Sequence, residues 1–293
     1  MSVQSFPMEA FFLLGGLFAA IAMTLLREFS LDATESEQKP INRIASLVII
    51  LVTGQLLYQF YKKYTASKPP NKIVLTYFDI KGVAEKVRLA LAIGNVPFED
   101  KRIQFSQWPE LKPTTPFEQL PVMEAGDQVI AQSNAMLMLA ARWGGGTLYP
   151  TDDPILCARI DEMLGLFEDM RSTFSVGQRF PMRDFHVKYG HSDKMTDDER
   201  KAITKRLRET WVSTSLPTYM QYFVGSIKKS GGPFLCGPLS IADLTLLPWL
   251  EFVSSGGVDF VESNCFDGYP EILEYMERVR AVPAIAKYYA DRK

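Results

Sequence analysis

Two long apolar runs occupy the first quarter of the chain, and neither contains a charged residue. They cover residues 10–26 and 44–61. At about 1.5 Å per residue, each would form a helix of roughly 26 Å, slightly shorter than the ~30 Å hydrocarbon core of a bilayer. Lysines cluster after the second run, and the positive-inside rule then places the rest of the chain in the cytosol or an equivalent compartment. The pattern predicts a membrane anchor over residues 1–70 and a membrane location.

The number of membrane spans stays open at this stage. A cleaved signal peptide would also explain the first run, because Ala20 and Ala22 form a small-residue cleavage pattern. Such peptides carry a basic segment first, whereas residues 1–10 contain no Lys or Arg. Gln55 and Gln59 make the second run the weaker span. Two spans, or one span with a buried or interfacial helix, both fit the pattern.

Beyond a Pro-rich linker at residues 66–71, the apolar pattern becomes that of a small α/β domain. A strand, an amphipathic helix and a second strand follow within about thirty residues, which is typical of a βαβ unit. A hairpin with a Gly-Asp turn and a further helix come next. This order predicts a thioredoxin-like domain over residues 71–148. Its expected elements are strands at 72–77 and 99–105, a hairpin at 120–124 and 128–131, and helices at 82–94 and 132–143.

The remainder, residues 152–293, shows helical periodicity and almost no strand signal. We therefore expect an all-helical C-terminal domain. Between its first two helices lies a polar and aromatic segment, residues 176–195, which is either a surface loop, a roof over a binding site or a docking segment. The expected helices cover 154–175, 196–229 with an interruption near Pro217, 240–251, 270–280 and 284–291.

Composition excludes several classes of function. The net charge is -2 and no basic patch is interleaved with aromatic residues, which disfavours nucleic-acid binding. Three scattered cysteines without a CxxC spacing disfavour a disulfide framework and a structural zinc site. His186 and His191 are the only histidines, and their polar surroundings predict that they are solvated. We expect no metal site.

Five motifs in order carry a family resemblance. They are LTYFDIKGVAEKVRLAL, WPELKPTTPFEQLPVM, QSNAML, LYP and FLCGPLSIADL. Together they resemble the cytosolic-type glutathione transferases, most closely the tyrosine-type, sigma-like branch. The resemblance covers residues 72–293, and it does not extend to the N-terminal segment. It implies a transferase that uses glutathione as co-substrate, attacks an apolar small-molecule electrophile and forms a homodimer.

The resemblance assigns the catalytic role to Tyr77, at the end of the first strand. In tyrosine-type transferases this hydroxyl donates a hydrogen bond to the sulfur of glutathione. A free thiol has a pKa of about 8.5, so a donor near a helix N-terminus favours a thiolate that is otherwise scarce at neutral pH. The alternative is that Tyr77 is only a packed strand aromatic.

Further residues match glutathione contacts of the family. Leu120 and Pro121 match its cis-proline pair, whose backbone pairs with the cysteinyl part of glutathione; an ordinary proline that begins a strand is the alternative. Gln132 and Ser133 open a helix, where backbone N–H groups and a hydroxyl form an anion site for the γ-glutamyl carboxylate. The simpler interpretation of Ser133 is a helix cap.

Three weaker matches and one structural motif complete the resemblance. Trp108 and Lys112 resemble contacts to the glycyl carboxylate, and an ordinary flexible lysine on the surface is the alternative interpretation. Asp169 resembles an acid that reaches the glutathione of the partner subunit, although acids on helices are usually solvated. Ser240 and Asp243 form an S-x-x-D capping box, a folding element worth about 1 kcal/mol.

Two departures from the family pattern affect the expected chemistry. Sigma-like members often carry an arginine where this chain has Val83, so the tuning of Tyr77 is open. The segment 78–82 contains neither Ser nor Cys, which disfavours the thiol-exchange mechanism of other branches.

Three functions follow from these observations. The first is a membrane-tethered transferase that forms a glutathione thiolate at Tyr77 and attacks apolar electrophiles or lipid peroxides dissolved in the bilayer. The second is an accessory subunit of a larger membrane complex, for example an energy-transducing complex of a mitochondrion or plastid. The third is a glutathione-dependent isomerisation of lipid endoperoxides.

Overall fold

The computed structural model describes residues 52–55, 58, 68–182 and 185–292. The chain divides into two compact units, residues 1–67 and 68–293, and the second unit contains every element labelled below.

The predicted membrane location is contradicted by the structure. Within the part of the chain that the structure describes, no helix is both long enough and apolar enough to cross a membrane. The first apolar run, residues 10–26, lies outside the described residues. The second run, 44–61, does so too apart from residues 52–55 and 58.

A four-stranded mixed sheet forms the α/β part of the second unit, in the order β2-β1-β3-β4. Strands β1 and β2 are parallel, β3 is antiparallel to β1, and β4 is antiparallel to β3. The strands are β1 (Ile73–Phe78), β2 (Glu99–Ile103), β3 (Val122–Ala125) and β4 (Gln128–Ala131). All four lie within two residues of the predicted bounds, because β-branched runs and the Gly126-Asp127 turn punctuate this stretch clearly.

The helices of this part pack on the sheet and on the helices that follow. Helix α1 is buried along Glu85–Leu91, including its charged residues, although the sequence pattern suggested charge facing outward. Its first turn is preceded by a 3₁₀ turn at Gly82–Ala84. The helices are α1 (Glu85–Ile93), α2 (Trp108–Leu111) and α3 (Ser133–Trp143).

The C-terminal part is helical, as predicted, and its core is continuous with that of the sheet. Buried apolar residues recur along each long helix at helical spacing, which explains why these segments pair with one another. The helices are α4 (Pro154–Arg179), α5 (Phe185–Lys188), α6 (Asp197–Lys229), α7 (Ile241–Val253), α8 (Pro270–Arg280) and α9 (Pro283–Ala290).

Helix α6 runs through Pro217 without the predicted interruption. A proline inside a helix removes one hydrogen bond and costs about 3 kcal/mol. Leu216 and Met220 are buried on either side of it, and their packing holds the helix through the proline.

The segment 176–195 differs from the surface loop that was one of the three alternatives for it. Helix α4 continues to Arg179, one turn further than expected, and Phe180 after it is buried. His186 is buried rather than solvated, because it lies among aromatic residues, with its ring 6.3 Å from that of Phe180. The ring of His191 meets Phe180 edge-on at 5.0 Å.

Candidate active site

Three strand ends meet at one edge of the sheet and bring the predicted residues together. Thr76 of β1 is opposite Val122 of β3, and Val122 is opposite Ala131 of β4. The residues adjoining these three positions are Tyr77, Pro121 and Gln132. The pairing register therefore places side chains from distant parts of the sequence along a single edge.

Tyr77 is buried at this edge, and its hydroxyl lies close to the loop that follows β1. A Cβ atom on Gly82 would lie 2.6 Å from the Tyr77 oxygen, so only glycine fits this approach. Burial raises the pKa of Tyr77, against the opposing effects of a hydrogen bond from the Val83 backbone and the charge of Arg88. The phenol therefore keeps its proton at neutral pH and can donate a hydrogen bond.

Arg88 fixes the loop beneath Tyr77. Its guanidinium carbon is 5.8 Å from the centre of the Tyr77 ring. One guanidinium nitrogen, Nη1, donates hydrogen bonds to the carbonyl oxygens of Ile80 at 2.9 Å and Lys81 at 3.1 Å. Arg88 is thus a cation under the tyrosine, although the family position for an arginine is occupied here by Val83.

Two carboxylates compensate the charge of Arg88. Glu85 accepts from Nη1 at 3.1 Å and Asp100 accepts from Nε at 2.9 Å. Burial alone would raise the pKa of Asp100, but the charge and hydrogen bond of Arg88, with help from Arg102, hold it below its usual value. The carboxylate stays ionised and anchors α1 to β2.

Beside Tyr77, aromatic side chains form a wall at the sheet edge. The ring of Phe78 meets Trp108 edge-on at 5.9 Å and stacks on Phe105 at 4.5 Å. Lys112 lies just beyond α2, exposed, with its Nζ 3.3 Å from a carboxylate oxygen of Glu118. The structure therefore places Trp108 next to β1, and it gives Lys112 a carboxylate partner.

The third helix begins at this edge in an unusual backbone conformation. The peptide bond between Leu120 and Pro121 is cis. Gln132 has φ 70° and ψ 112°, in the left-handed region that non-glycine residues seldom occupy, and Ser133 is the first residue of α3. The Gln132 side chain donates to that of Gln119 at 3.2 Å. Strained backbone of this kind concentrates at ligand sites.

A cavity of about 530 Å³ opens between Tyr77 and the helical part. Its apolar wall includes Phe167, Trp249 and Phe252. Trp249 is held by edge-on contacts with the rings of Phe167 at 6.2 Å and Trp211 at 5.7 Å. A cavity with a rigid aromatic wall next to a hydrogen-bond donor suits an apolar molecule with one reactive centre.

Two family models match the residues that build this site. The glutathione S-transferase N-terminal domain matches residues 73–141, and the glutathione S-transferase C-terminal domain matches residues 183–292. Glutathione S-transferase 1 of Ascaris suum is 29% identical over 220 residues, which are 74% of this chain and 95% of that protein. The chain belongs to the glutathione S-transferase family.

Two solved structures are similar to this chain along almost their whole length. Prostaglandin synthase D of Nilaparvata lugens is 31% identical with a TM-score of 0.63, and the match covers 76% of this chain and 98% of that one. The glutathione S-transferase of Ascaris lumbricoides is 28% identical with a TM-score of 0.59 and the same coverage. The family expected from the five motifs is confirmed, as are the enzyme class and glutathione as co-substrate.

Asp169 is the one predicted glutathione contact that lies on a helix of the C-terminal part of this transferase fold, and it is exposed on α4. Among all the predicted site residues, Tyr77 is the one that lines the cavity. The capping box is more than a cap, because Asp243 is buried and also accepts hydrogen bonds from the Leu235 N–H and the Tyr275 hydroxyl, both at 3.0 Å. Ser240 donates to Asp243 through its backbone N–H at 2.8 Å and its hydroxyl at 2.9 Å.

Sequence reasoning missed the charged residues around the cavity. Arg88, Lys86 and Arg171 were not singled out, although the last two line the cavity. For Arg88, the Glu85-x-x-Arg88 spacing was an available signal, since residues three apart face each other on a helix. No comparable local signal exists for Lys86, because its environment is made by α3 and α4.

Proposed function

We propose that this chain is a tyrosine-type, sigma-like glutathione transferase in which Tyr77 donates a hydrogen bond to the sulfur of bound glutathione. The observation that carries the proposal is the position of Tyr77: it is the penultimate residue of β1, its pKa is raised by burial, and it lines the cavity. A protonated phenol next to a thiolate lowers the free energy of the anion through a charge-assisted hydrogen bond. The thiolate then attacks an apolar electrophile held by the aromatic wall.

The glutathione contacts follow the edge of the sheet. The backbone at Leu120 and Pro121 pairs with the cysteinyl part, and Gln132 and Ser133 bind the γ-glutamyl carboxylate at the start of α3. The positive φ of Gln132, at the residue before α3, supports the second of these roles. The glycyl carboxylate is assigned to a second pair of residues, Trp108 and Lys112.

Asp169 is assigned to the glutathione of a partner subunit, which implies a homodimer. Its exposure on α4 leaves it accessible to a second copy. Sedimentation of the full-length chain tests the homodimer, and a glutathione titration of the wild type and of Asp169→Asn tests the contact. A dimer in both proteins, with weaker glutathione binding in the variant, supports the assignment. A monomer with unchanged glutathione affinity contradicts it.

The test of the catalytic role is the pH profile of Tyr77→Phe. If the hydroxyl lowers the thiol pKa by about two units, the variant loses on the order of 10²-fold in kcat/KM near pH 6.5. The loss shrinks above pH 9, where the thiol of glutathione ionises unaided. Tyr149→Phe is the matched control, since it removes a buried hydroxyl that instead contacts Asp161 at 3.0 Å. A rate loss that is independent of pH would remove Tyr77 from thiol activation.

A glutathione-dependent isomerisation is the second candidate, and one finding favours it. The protein of Nilaparvata lugens whose solved structure is 31% identical to this chain is a prostaglandin synthase. Incubation with a prostaglandin endoperoxide and glutathione, followed by product analysis, separates the two activities. Isomerised product without consumption of glutathione supports the isomerase, and a glutathione adduct supports conjugation. The purely structural role as an accessory subunit is not favoured, because the match to this chain covers almost the whole length of a relative that is a glutathione S-transferase.

A further inference from the structure

Lys86 is a buried cation that lines the same cavity as Tyr77. Its side chain lies on α1, and the residue is only 4% exposed. Its ammonium donates a hydrogen bond to the side-chain oxygen of Asn134, the second residue of α3. Among the described residues no carboxylate lies within ion-pair distance of it. An ammonium has three donors, so the neutral amide of Asn134 satisfies one of them.

The carboxylates near the cavity are already held by other cations. Glu168 of α4 interacts with Lys86 through space, but it is bound by Arg171 at 2.7 Å. Arg171 also lines the cavity, and its charge repels that of Lys86. Positive charge is therefore in excess on this side of the cavity.

Glu251, the acid that lines the cavity, does not relieve this excess. Its two carboxylate oxygens are bound by Lys81 at 3.0 Å and by Arg280 at 2.8 Å. Lys81 also lies over the ring of Tyr289 at 4.5 Å, which holds it at the cavity rim. Glu168, which is shared with Arg171, therefore compensates Lys86 only in part, and Glu251 is bound by two other cations.

A buried cation with incomplete compensation favours an anionic ligand. Moving an ion out of water costs several kcal/mol unless an opposite charge or several hydrogen bonds replace the water. Burial accordingly lowers the pKa of Lys86 to about 8, so the ammonium is still the main form at neutral pH. A carboxylate placed in the cavity would supply the missing charge and relieve the repulsion from Arg171.

We propose that Lys86 makes this cavity selective for electrophiles that combine an apolar body with an anionic group such as a carboxylate. The apolar body packs against Phe167, Trp249 and Phe252, and the anion binds at Lys86 with support from Arg171. The proposal rests on the transferase function proposed above and adds the class of the second substrate.

A matched pair of probes tests this selectivity. The probes are 4-chloro-3,5-dinitrobenzoate and 4-chloro-3,5-dinitrobenzamide, which differ in charge and have the same leaving group. In each, the glutathione sulfur forms a bond to the ring carbon, chloride leaves, and the thiol proton goes to solvent. The measured quantity is the ratio of kcat/KM for the two probes, each divided by its uncatalysed rate.

Two variants of Lys86 and one control give the expected pattern. In Lys86→Met the preference for the carboxylate falls on the order of ten-fold, equivalent to about 1.4 kcal/mol, and in Lys86→Arg it is retained. Lys101→Met removes the same charge at an exposed position on β2 and leaves the ratio as in the wild type. An unchanged ratio in Lys86→Met overturns the proposal.

The wild-type protein provides a readout that does not depend on the folding of any variant. Its preference for the carboxylate should fall as the pH rises through 8, because the ammonium of Lys86 then loses its proton. A preference that stays constant from pH 6.5 to 9 contradicts the proposal.

A binding measurement separates this inference from the proposed function. If the wild type conjugates neither probe, the proposed function fails. The anion site is then tested with 3,5-dinitrobenzoate and 3,5-dinitrobenzamide, which quench tryptophan fluorescence when bound beside Trp249. Tighter binding of the benzoate that is lost in Lys86→Met supports the site, and equal binding of both compounds overturns it.

Discussion

Arg88 and Lys86 lie within one turn of the same buried helix, yet their charges are compensated very differently. Arg88 is fully buried and is bound by two carboxylates and two backbone carbonyl oxygens. Lys86 is almost as buried and has one neutral amide as its hydrogen-bond partner among the described residues. The contacts of Arg88 stabilise the fold, whereas the ammonium of Lys86 keeps donors that can bind a ligand in the cavity.

The difference shows how to separate a structural buried charge from a functional one. Removing an ion whose charge is compensated by buried carboxylates leaves those carboxylates unpaired, which costs about 3–5 kcal/mol. Removing a poorly compensated ion relieves a desolvation penalty, so the folded state gains stability while the site loses its ligand. Stability and activity should therefore respond in the same direction for Arg88 and in opposite directions for Lys86.

The largest effect is expected for Arg88→Met. The substitution leaves Glu85 and Asp100 without their common cation and frees the Ile80 and Lys81 carbonyls. We expect the free energy of unfolding to fall by about 3–5 kcal/mol, measured by urea denaturation. Arg159→Met is the control, because Arg159 is exposed and its surface pair with Glu162 is screened by solvent and contributes little to stability. Equal losses in both variants would show that the buried network is not stabilising.

The next largest effect is expected for Asp243, a buried acid whose loss should also destabilise the fold by leaving its partners unpaired. Asp243→Ala leaves the buried donors of Leu235, Ser240 and Tyr275 without an acceptor. At about 1–3 kcal/mol for each unsatisfied group, we expect a loss of about 3 kcal/mol or more, exceeding the ~1 kcal/mol expected for a cap alone.

The control for Asp243 is Asp153→Ala. Asp153 caps α4 through one hydrogen bond from the Leu156 N–H, at 2.9 Å, and is exposed. Its loss should cost about 1 kcal/mol. Urea denaturation of the two variants side by side checks the comparison, and equal losses would reduce Asp243 to an ordinary cap.

The alignment of Tyr77, Pro121 and Gln132 along one sheet edge was predictable from sequence, because backbone register creates it. Strand ends can be located from β-branched runs and turns, and the pairing of β1, β3 and β4 then brings Tyr77, Pro121 and Gln132 to one edge. Each of these residues also lies in a motif of the family. The specific roles of these residues stay predictions until they are tested.

The lining of the cavity could not be predicted in the same way. Lys86, Arg171 and Trp249 come from three helices, and the packing angles of those helices decide which side chains share a cavity. A lysine in an amphipathic pattern is normally solvated, so nothing local marks Lys86 as buried. The apolar runs at the N-terminus gave the reverse kind of error, a prediction that was wrong rather than a residue that was missed. Hydropathy alone predicted the membrane location.

A smaller effect is expected for Gly82→Ala, at the loop that Arg88 holds. Gly82 has φ +47°, and an added Cβ would lie 2.6 Å from the Tyr77 hydroxyl oxygen. We expect a loss of about 1–3 kcal/mol in stability together with a reduced kcat/KM, since Tyr77 must move.

Gly126→Ala is the matched control for Gly82. Gly126 has φ +65°, but the nearest atom to an added Cβ is a Pro70 carbon at 3.5 Å. It should show the backbone cost of about 1 kcal/mol and unchanged catalysis. If both variants retain full activity, close packing under Tyr77 does not position its hydroxyl.

The smallest effect, and the one with the opposite sign, is expected for Lys86→Met. The pKa of Lys86 falls from 10.5 to about 8 on folding, a penalty on the order of 3 kcal/mol. Removing the ammonium also leaves Asn134 without its donor, at about 1–3 kcal/mol. We therefore expect a net gain of about 1 kcal/mol below pH 8, and a larger gain in the double variant Lys86→Met/Asn134→Leu, measured by urea denaturation.

The pH dependence of that gain distinguishes a relieved ion from improved packing. Between pH 8 and 10.5 the unfolded wild type binds more protons at Lys86 than the folded protein does, so wild-type stability rises with pH over this range. The variant lacks this rise, and its advantage should therefore shrink as the pH approaches 10.5. A gain that is the same at pH 7 and pH 10 would come from packing, and a loss at pH 7 would mean that Lys86 is compensated as fully as Arg88.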